Sequence, residues 1–439
     1  MLTDTVLIPD SALNEALHNA CHLTLDEPLT TEALATLTTL DLSNLLIESL
    51  EGMEYCVNLQ FLNIAQNSIV DITPIVGIVT LTYLDISSNY NMTNSAIQKI
   101  ASLINIKDLF LSYSQVINFE FAVNMAALRR LTTVYSSGLA SLKGIEGLNS
   151  LALLEINRAS SLTDISALST LPALSVLDLS YCKMIKDLSY IGQVKSLIRL
   201  DLDSAYIQDI SFMRDLPNIQ EVNLTTNFIK DLSPLTSVTS LKNIAVQDNY
   251  INDLAPLLKL VGLRRLYLQQ NCITSVSPLL NLPDLEICNV EGNYLTDITE
   301  IESLSAKVVD LLYDHNYFIN TPYQQAFSTR SYDSITAGES KVAKFVLCFT
   351  EDGKNYTTMK SKKLNGSASL NVSSSDTSVL TATSSSFYLE DVTTVDAILT
   401  GVSEGDASLS ILFAYSDSAS VNLPLTNGAY QQNISVITG

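Results

Sequence analysis

Leu59-Gln60-Phe61-Leu62-Asn63-Ile64-Ala65-Gln66-Asn67 spells L-x-x-L-x-L-x-x-N, and this phrase decides the fold. It returns at 81–89, 219–227, 241–249, 263–271 and 285–293. Weaker copies begin at Leu37, Ile106, Leu128, Leu151, Leu174, Leu197 and Val308, which makes 13 copies whose starts lie 22 to 25 residues apart. Self-similarity at that period marks stacked structural units. In L-x-L the side chains of an extended chain alternate, so both leucines face one way and the residue between them faces the other. Stacking the copies makes a parallel sheet with a leucine column on its inner side. The closing asparagine leaves the strand, where its amide can satisfy backbone groups of the adjoining turn.

The second half of each copy is also regular. Asp71-Ile72-Thr73-Pro74, Asp187-Leu188-Ser189, Asp209-Ile210-Ser211, Asp231-Leu232-Ser233-Pro234 and Asp253-Leu254-Ala255-Pro256 share one form. Few residues remain before the next strand, which fits a short 3-10 turn opened by a capping side chain or proline. The 25-residue copy differs: Ile97, Ile100, Ala101 and Ile104 stand at helical spacing and predict an α-helix over 92–104.

A stack of leucine strands has apolar ends that need cover. Pro9-Asp10-Ser11 opens a helix with Ala12, Leu13, Ala16, Leu17 and Ala20 on one face, and Thr30 can cap a second. Residues 1–36 are therefore expected to form a helical N-terminal cap, with the 13 repeats over 37–322. From 323 to 439 the chain is rich in Ser, Thr and Val with short alternating runs, such as 343–347, 370–372, 408–412 and 432–437. These read as a β-sandwich of about seven strands. The expected fold class is thus an α/β solenoid: a parallel concave sheet, mostly 3-10 convex turns, a helical cap and a terminal sandwich.

The residues between the paired leucines line the outward face: Asp41, Asn63, Asp85, Phe110, Thr132, Glu155, Asp178, Asp201, Asn223, Ala245, Tyr267, Asn289 and Leu312. Glu155, Asp178 and Asp201 follow one another, with Asp203 and Glu221 beside them and Arg158 and Arg199 near enough to neutralise part of the charge. Phe110, Tyr113, Tyr135 and Tyr181 are expected close by on the same sheet. The candidate partner-binding set is Phe110, Tyr113, Tyr135, Glu155, Asp178, Tyr181, Asp201, Asp203 and Tyr267. In it, aromatic side chains anchor and acids select a basic ligand; the competing reading is an ordinary solvated polar face.

Several function classes drop out. The net charge of −22 repels nucleic acid and anionic lipid. No stretch approaches the roughly 18 apolar residues of a membrane span, and no secretory leader opens the chain, so either it is cytosolic or a leader has been removed. The six cysteines show no zinc spacing and read as small buried hydrophobes. His18, Cys21 and His22 share a helical face, but filling the cap accounts for them more simply than a metal does. No Ser–His or Cys–His pairing and no phosphate-cradling glycine loop occurs. No catalytic residue, metal or cofactor is expected, and the chain reads as a monomeric non-enzyme. Asn427-Gly428 reads as a hairpin turn, and the Leu423-Pro424-Leu425-Thr426 before it lacks the apolar segment and basic tail of a sorting signal.

The run Asn227-Phe228-Ile229-Lys230-Asp231-Leu232-Ser233-Pro234-Leu235 resembles the bacterial internalin class of leucine-rich repeats. The segment Ile8-Pro9-Asp10-Ser11-Ala12-Leu13-Asn14-Glu15-Ala16-Leu17 looks like that class's helical cap, and the resemblance covers 8–322. It implies a secreted or wall-anchored adhesion protein that binds a protein or glycan on a host or neighbouring cell through the concave sheet. Residues 371–382 and 399–407 are similar to bacterial Ig-like domains of surface adhesins. One departure from the class is that Leu45, Ser114, Ser136, Ala159, Cys182 and Ala205 occupy the asparagine position in six copies. The alternative function is an intracellular repeat scaffold regulating a partner protein, which the missing leader and the unpaired cysteines favour.

Overall fold

A computed structural model describes residues 4–295 and 298–313 and, beyond them, only the strands between 327 and 437. Thirteen three-residue strands, from Thr39–Asp41 to Asp310–Leu312, form one sheet in chain order. The register moves by one repeat at each step: Leu40 stands opposite Leu62, then Leu84, Leu109, Leu131, Leu154, Leu177, Leu200 and Val222. All of these are buried, and each contributes about 1.5–3 kcal/mol by leaving water. By their internal contacts, residues 1–227 with 234–244 form one unit and residues 228–233 with 245–439 a second.

In the first unit, the buried asparagines tie one repeat to the next. The Asn67 amide nitrogen donates to the carbonyls of Leu42 and Ile64, and its oxygen accepts from the amides of Leu45 and Ile47. Asn89 does the same one repeat on, with Ile64, Ile86 and Ile69. Buried backbone groups need such partners. In the central copies the link thins. The Ser136 hydroxyl meets Thr133 and donates to the Leu111 carbonyl, the Cys182 thiol donates to the Ile156 carbonyl, and Ala159 and Ala205 have no side-chain group to offer.

On the far side of the copies run 3-10 helices, among them Thr73–Ile75, Ser166–Thr170 and Ser211–Asp215. An aspartate before each accepts the amide two residues on: Asp71 from Thr73, Asp164 from Ser166, Asp209 from Ser211. This side-chain turn fixes where the helix starts. The 25-residue copy departs from expectation. Its α-helix spans only Asn94–Gln98 and tightens into a 3-10 turn over Lys99–Ser102. Ile97 and Ile100 are buried, but Ala101 and Ile104 are exposed. The chain leaves the helix there to deliver Leu103 and Ile106 to the core ahead of the strand Asp108–Phe110.

Two helices precede the first strand, α1 (Ser11–Ala20) and α2 (Thr31–Ala35). Asp10 caps α1 with one carboxylate oxygen, which accepts from Ala12 and Leu13, while the other accepts from Glu48 and Ser49. Burial raises the Asp10 pKa, but these four amides outweigh it and hold the carboxyl below its ordinary value. Thr30 caps α2 through the Ala33 amide, as expected. His18 is buried with its ring nitrogens on the carbonyls of Asn14 and Glu27, 2.8 and 3.0 Å away.

In the second unit the strands Arg265–Tyr267, Ile287–Asn289 and Asp310–Leu312 pair in parallel, and Asn271 and Asn293 repeat the amide links. Proline opens the 3-10 helices Ala255–Lys259 and Ser277–Asn281. Eleven strands are described between 327 and 437, in sheets of four, five and two. Of the runs singled out in the sequence, 343–346, 370–372, 408–412 and 432–437 fall within Ser340–Val346, Gly366–Ser374, Gly405–Asp417 and Gly428–Ile437, and residue 347 lies outside the described residues. Pairing is antiparallel except between Ser334–Thr336 and the last strand. Short pairs such as Cys348–Thr350 with Tyr356–Thr358 carry no alternating apolar run, so the sequence undercounts the strands. Asn427 lies outside the described residues.

Candidate functional site

The outward row follows from the register. In the first unit Phe110, Thr132, Glu155, Asp178, Asp201 and Asn223 stand opposite one another in succession. Period two also turns the first residue of each strand outward, a row the sequence reading passed over. It holds Phe61 and Tyr83, whose ring centroids stack at 4.2 Å, and Tyr83 lies 5.2 Å from Phe110. Arg130 caps this group, 6.0 Å from the Phe110 centroid and 3.9 Å from Asp108.

The acids form a hydrogen-bonded set. The Ser180 hydroxyl lies between Asp178 and Asp201, within donating distance of both. The Asn223 amide donates to both oxygens of Asp201 at 3.0 and 3.1 Å, and the Thr132 hydroxyl donates to Glu155. Asp203 accepts from the Ser204 hydroxyl. Burial pushes the Asp178 carboxyl above its ordinary value and the Asp201 charge adds to this, against the hydrogen bonds from Ser180. Neither Arg158 nor Arg199 forms an ion pair with a described residue. Arg158 stands against the rings of Tyr135 and Tyr181, and Arg199 opens its strand opposite Glu221 in the register.

Tyr113, Tyr135 and Tyr181 lie in the turn that closes each strand, not on the sheet itself. Together with Arg158 they have φ of 56°, 60°, 62° and 60°, in the left-handed region. Other copies place Asn44, Gln66, Ser88 and Ser204 there. Each backbone amide donates to the next rung: Tyr113 to Val134, Tyr135 to Asn157, Arg158 to Ser180, Tyr181 to Asp203. The side chains therefore rise in line. Tyr113 and Tyr135 stack at 4.6 Å, and the Arg158 guanidinium lies 4.9 Å from the Tyr135 ring and 4.0 Å from Tyr181. Tyr113 and Tyr135 remain 41% and 44% exposed, a large aromatic surface held ready for contact. Tyr267 belongs to the second unit, half-buried opposite Asn289.

Burial raises the thiols of Cys56, Cys182, Cys272 and Cys288 to about 12, so they stay protonated at neutral pH. Among the described residues no group of three His, Cys, Asp or Glu is arranged to hold a metal ion, and no helix is long and apolar enough to cross a membrane.

Asp178 yields a prediction. Its folded pKa is raised, so the stability it contributes is complete below the unfolded value of about 3.9 and is lost as pH rises through the folded value. Asp178→Asn keeps the acceptor for Ser180 and removes the charge. Its melting temperature should exceed that of the parent at neutral pH, with the gap closing toward about pH 3.9; a gap that stays constant with pH would show the carboxylate is not disfavoured by burial.

The internalin inlF of Listeria monocytogenes overlays this chain with a TM-score of 0.65 at 25% identity, across 71% of this chain and 91% of that one. The repeat fold is internalin-like. Two looser overlays are a leucine-rich-repeat protein of Leptospira interrogans (20% identity, 65% and 92% covered, TM-score 0.39) and the functional domain of InlJ from Listeria monocytogenes (13%, 97% and 97%, 0.46). No family model and no curated protein matches the chain.

Proposed function

We propose that this chain is a non-catalytic recognition protein, secreted or displayed on a bacterial surface, that binds a protein or glycan of a host or neighbouring cell through the strand-lined face. The observation that carries the reading is the run of half-exposed rings at Tyr113, Tyr135 and Tyr181 beside the carboxylates of Glu155, Asp178, Asp201 and Asp203. Rings supply contact area at small entropic loss, and the uncompensated acids select positive charge. Phe61 and Tyr83 extend the anchoring surface with Phe110, and Tyr267 adds a contact in the second unit. The internalin-like fold supports an interaction or adhesion role. In this reading α1 and α2 cap the first repeat, residues 37–322 carry recognition, and 323–439 form an Ig-like spacer.

Protease shaving of intact native cells, with cell fractionation, tests display. Release of the chain supports it, whereas confinement to the cytosol makes the intracellular regulatory scaffold the working function. Against a partner recovered by surface cross-linking, Tyr135→Ala with Tyr181→Ala should weaken binding about 100-fold, as loss of hot-spot aromatics does. Unchanged affinity in a titration would remove the turn tyrosines from the interface.

A further inference from the structure

Arg158 stands apart from both the repeat pattern and the acids. The chain carries 46 acidic residues against 24 basic, and Glu155 and Asp178 lie in the strands that lead into the neighbouring turns. Yet the Arg158 guanidinium makes no ion pair and donates no side-chain hydrogen bond to any described residue. Arg130 and Arg264, by contrast, have Asp108 and Glu286 at 3.9 and 4.0 Å. Arg158 is partly buried between the Tyr135 and Tyr181 rings. Rings on the two neighbouring rungs shield the guanidinium from part of its water, and its planar N–H donors have no hydrogen-bond partner among the described residues. That fork matches a carboxylate in bidentate fashion, and the rings hold it in place beforehand.

We propose that Arg158 receives a carboxylate of the protein partner, from an aspartate, a glutamate or a chain terminus, at the edge of the Tyr135–Tyr181 sandwich. This rests on the partner-binding reading and refines it. Asp178 and Asp201 select basic residues, while Arg158 admits one acidic group among them. A matching segment therefore places a carboxylate between positive charges. The occupant is a protein and not an acidic polysaccharide, because the net charge of −22 repels a polyanion.

The direct probe is acetate, titrated into the intact protein labelled with heavy nitrogen at arginine, with chloride at equal ionic strength as the control. The Arg158 Nε–H signal is the one missing from Arg158→Lys. It should shift saturably with acetate and not with chloride, and Tyr181→Ala should weaken the response several-fold by opening the sandwich. An Arg158 signal that follows chloride equally, or moves no further than those of the other arginines, overturns the proposal. A second arm compares lysine-rich peptides with a central glutamate or a central glutamine. The glutamate peptide should bind several-fold tighter, with the preference lost in Arg158→Gln. Equal affinities, or binding of neither peptide, overturn the assignment to a protein carboxylate, and binding of oligogalacturonate in their place moves the site to an acidic glycan. An intact acetate response in a chain whose face variants leave partner binding unchanged would fail the face reading alone.

Discussion

Gly144→Ala should destabilise the first unit by about 3 kcal/mol or more, the range reached when backbone conformation and packing are violated together. Gly144 has φ of +107°, and a Cβ there would lie 2.1 Å from the carbonyl carbon and oxygen of Phe119 and 2.4 Å from the Glu120 nitrogen. All three are backbone atoms, so no rotamer change relieves the clash. Two neighbours separate the contributions. Gly147 has φ of +73° with nothing within 4 Å of the added carbon, so Gly147→Ala should cost only about 1 kcal/mol, from conformation alone. Gly77 has neither constraint, and Gly77→Ala should be close to neutral. Urea midpoints of the three variants make the comparison; equal losses at Gly144 and Gly147 would show that the Phe119 peptide moves aside freely.

Asn67→Ala should be comparably severe. It removes the partners of the Leu45 and Ile47 amides and of the Leu42 carbonyl, while the Ile64 carbonyl keeps the Asn89 amide. A buried polar group left without a partner costs about 1–3 kcal/mol, and partial rehydration brings the three to about 3 kcal/mol together. Cys182→Ala, at the equivalent position, loses a single thiol–carbonyl contact and should cost about 1 kcal/mol beyond its small change in volume. If the two variants unfold at the same denaturant concentration, the asparagines are not what binds one repeat to the next.

The repeat frame was legible because its signals are local and periodic. The L-x-L spacing set the register from Leu40 to Val222, and Asp10 and Thr30 announced the helix starts through their own chemistry. The helix in the 25-residue copy was overcalled because helical spacing at 97–104 carries no information about where the next strand draws the chain away. The site was half legible. Acids one repeat apart had to fall side by side, but Phe61 and Tyr83 escaped when only the residue between the leucines was followed. The turn tyrosines were placed on the sheet because nothing in a tyrosine signals a left-handed φ; that conformation belongs to the repeat position and is imposed on whatever residue occupies it. Arg158 could not be assigned from sequence, since the choice between a nearby carboxylate and two rings depends on geometry beyond the spacing.

The thinning of the asparagine links has a dynamic consequence. From Ala159 to Ala205 the asparagine position supplies one thiol–carbonyl contact at Cys182 and no side-chain link at the two alanines. Amide protons of this stretch should therefore exchange ahead of those beside Asn67 and Asn89. The same rungs carry Arg158 and Tyr181, and the stacking of Arg158 on the Tyr135 and Tyr181 rings already braces them from outside. A ligand seated there acts as a splint across the seam, so occupancy and resistance to local opening rise together.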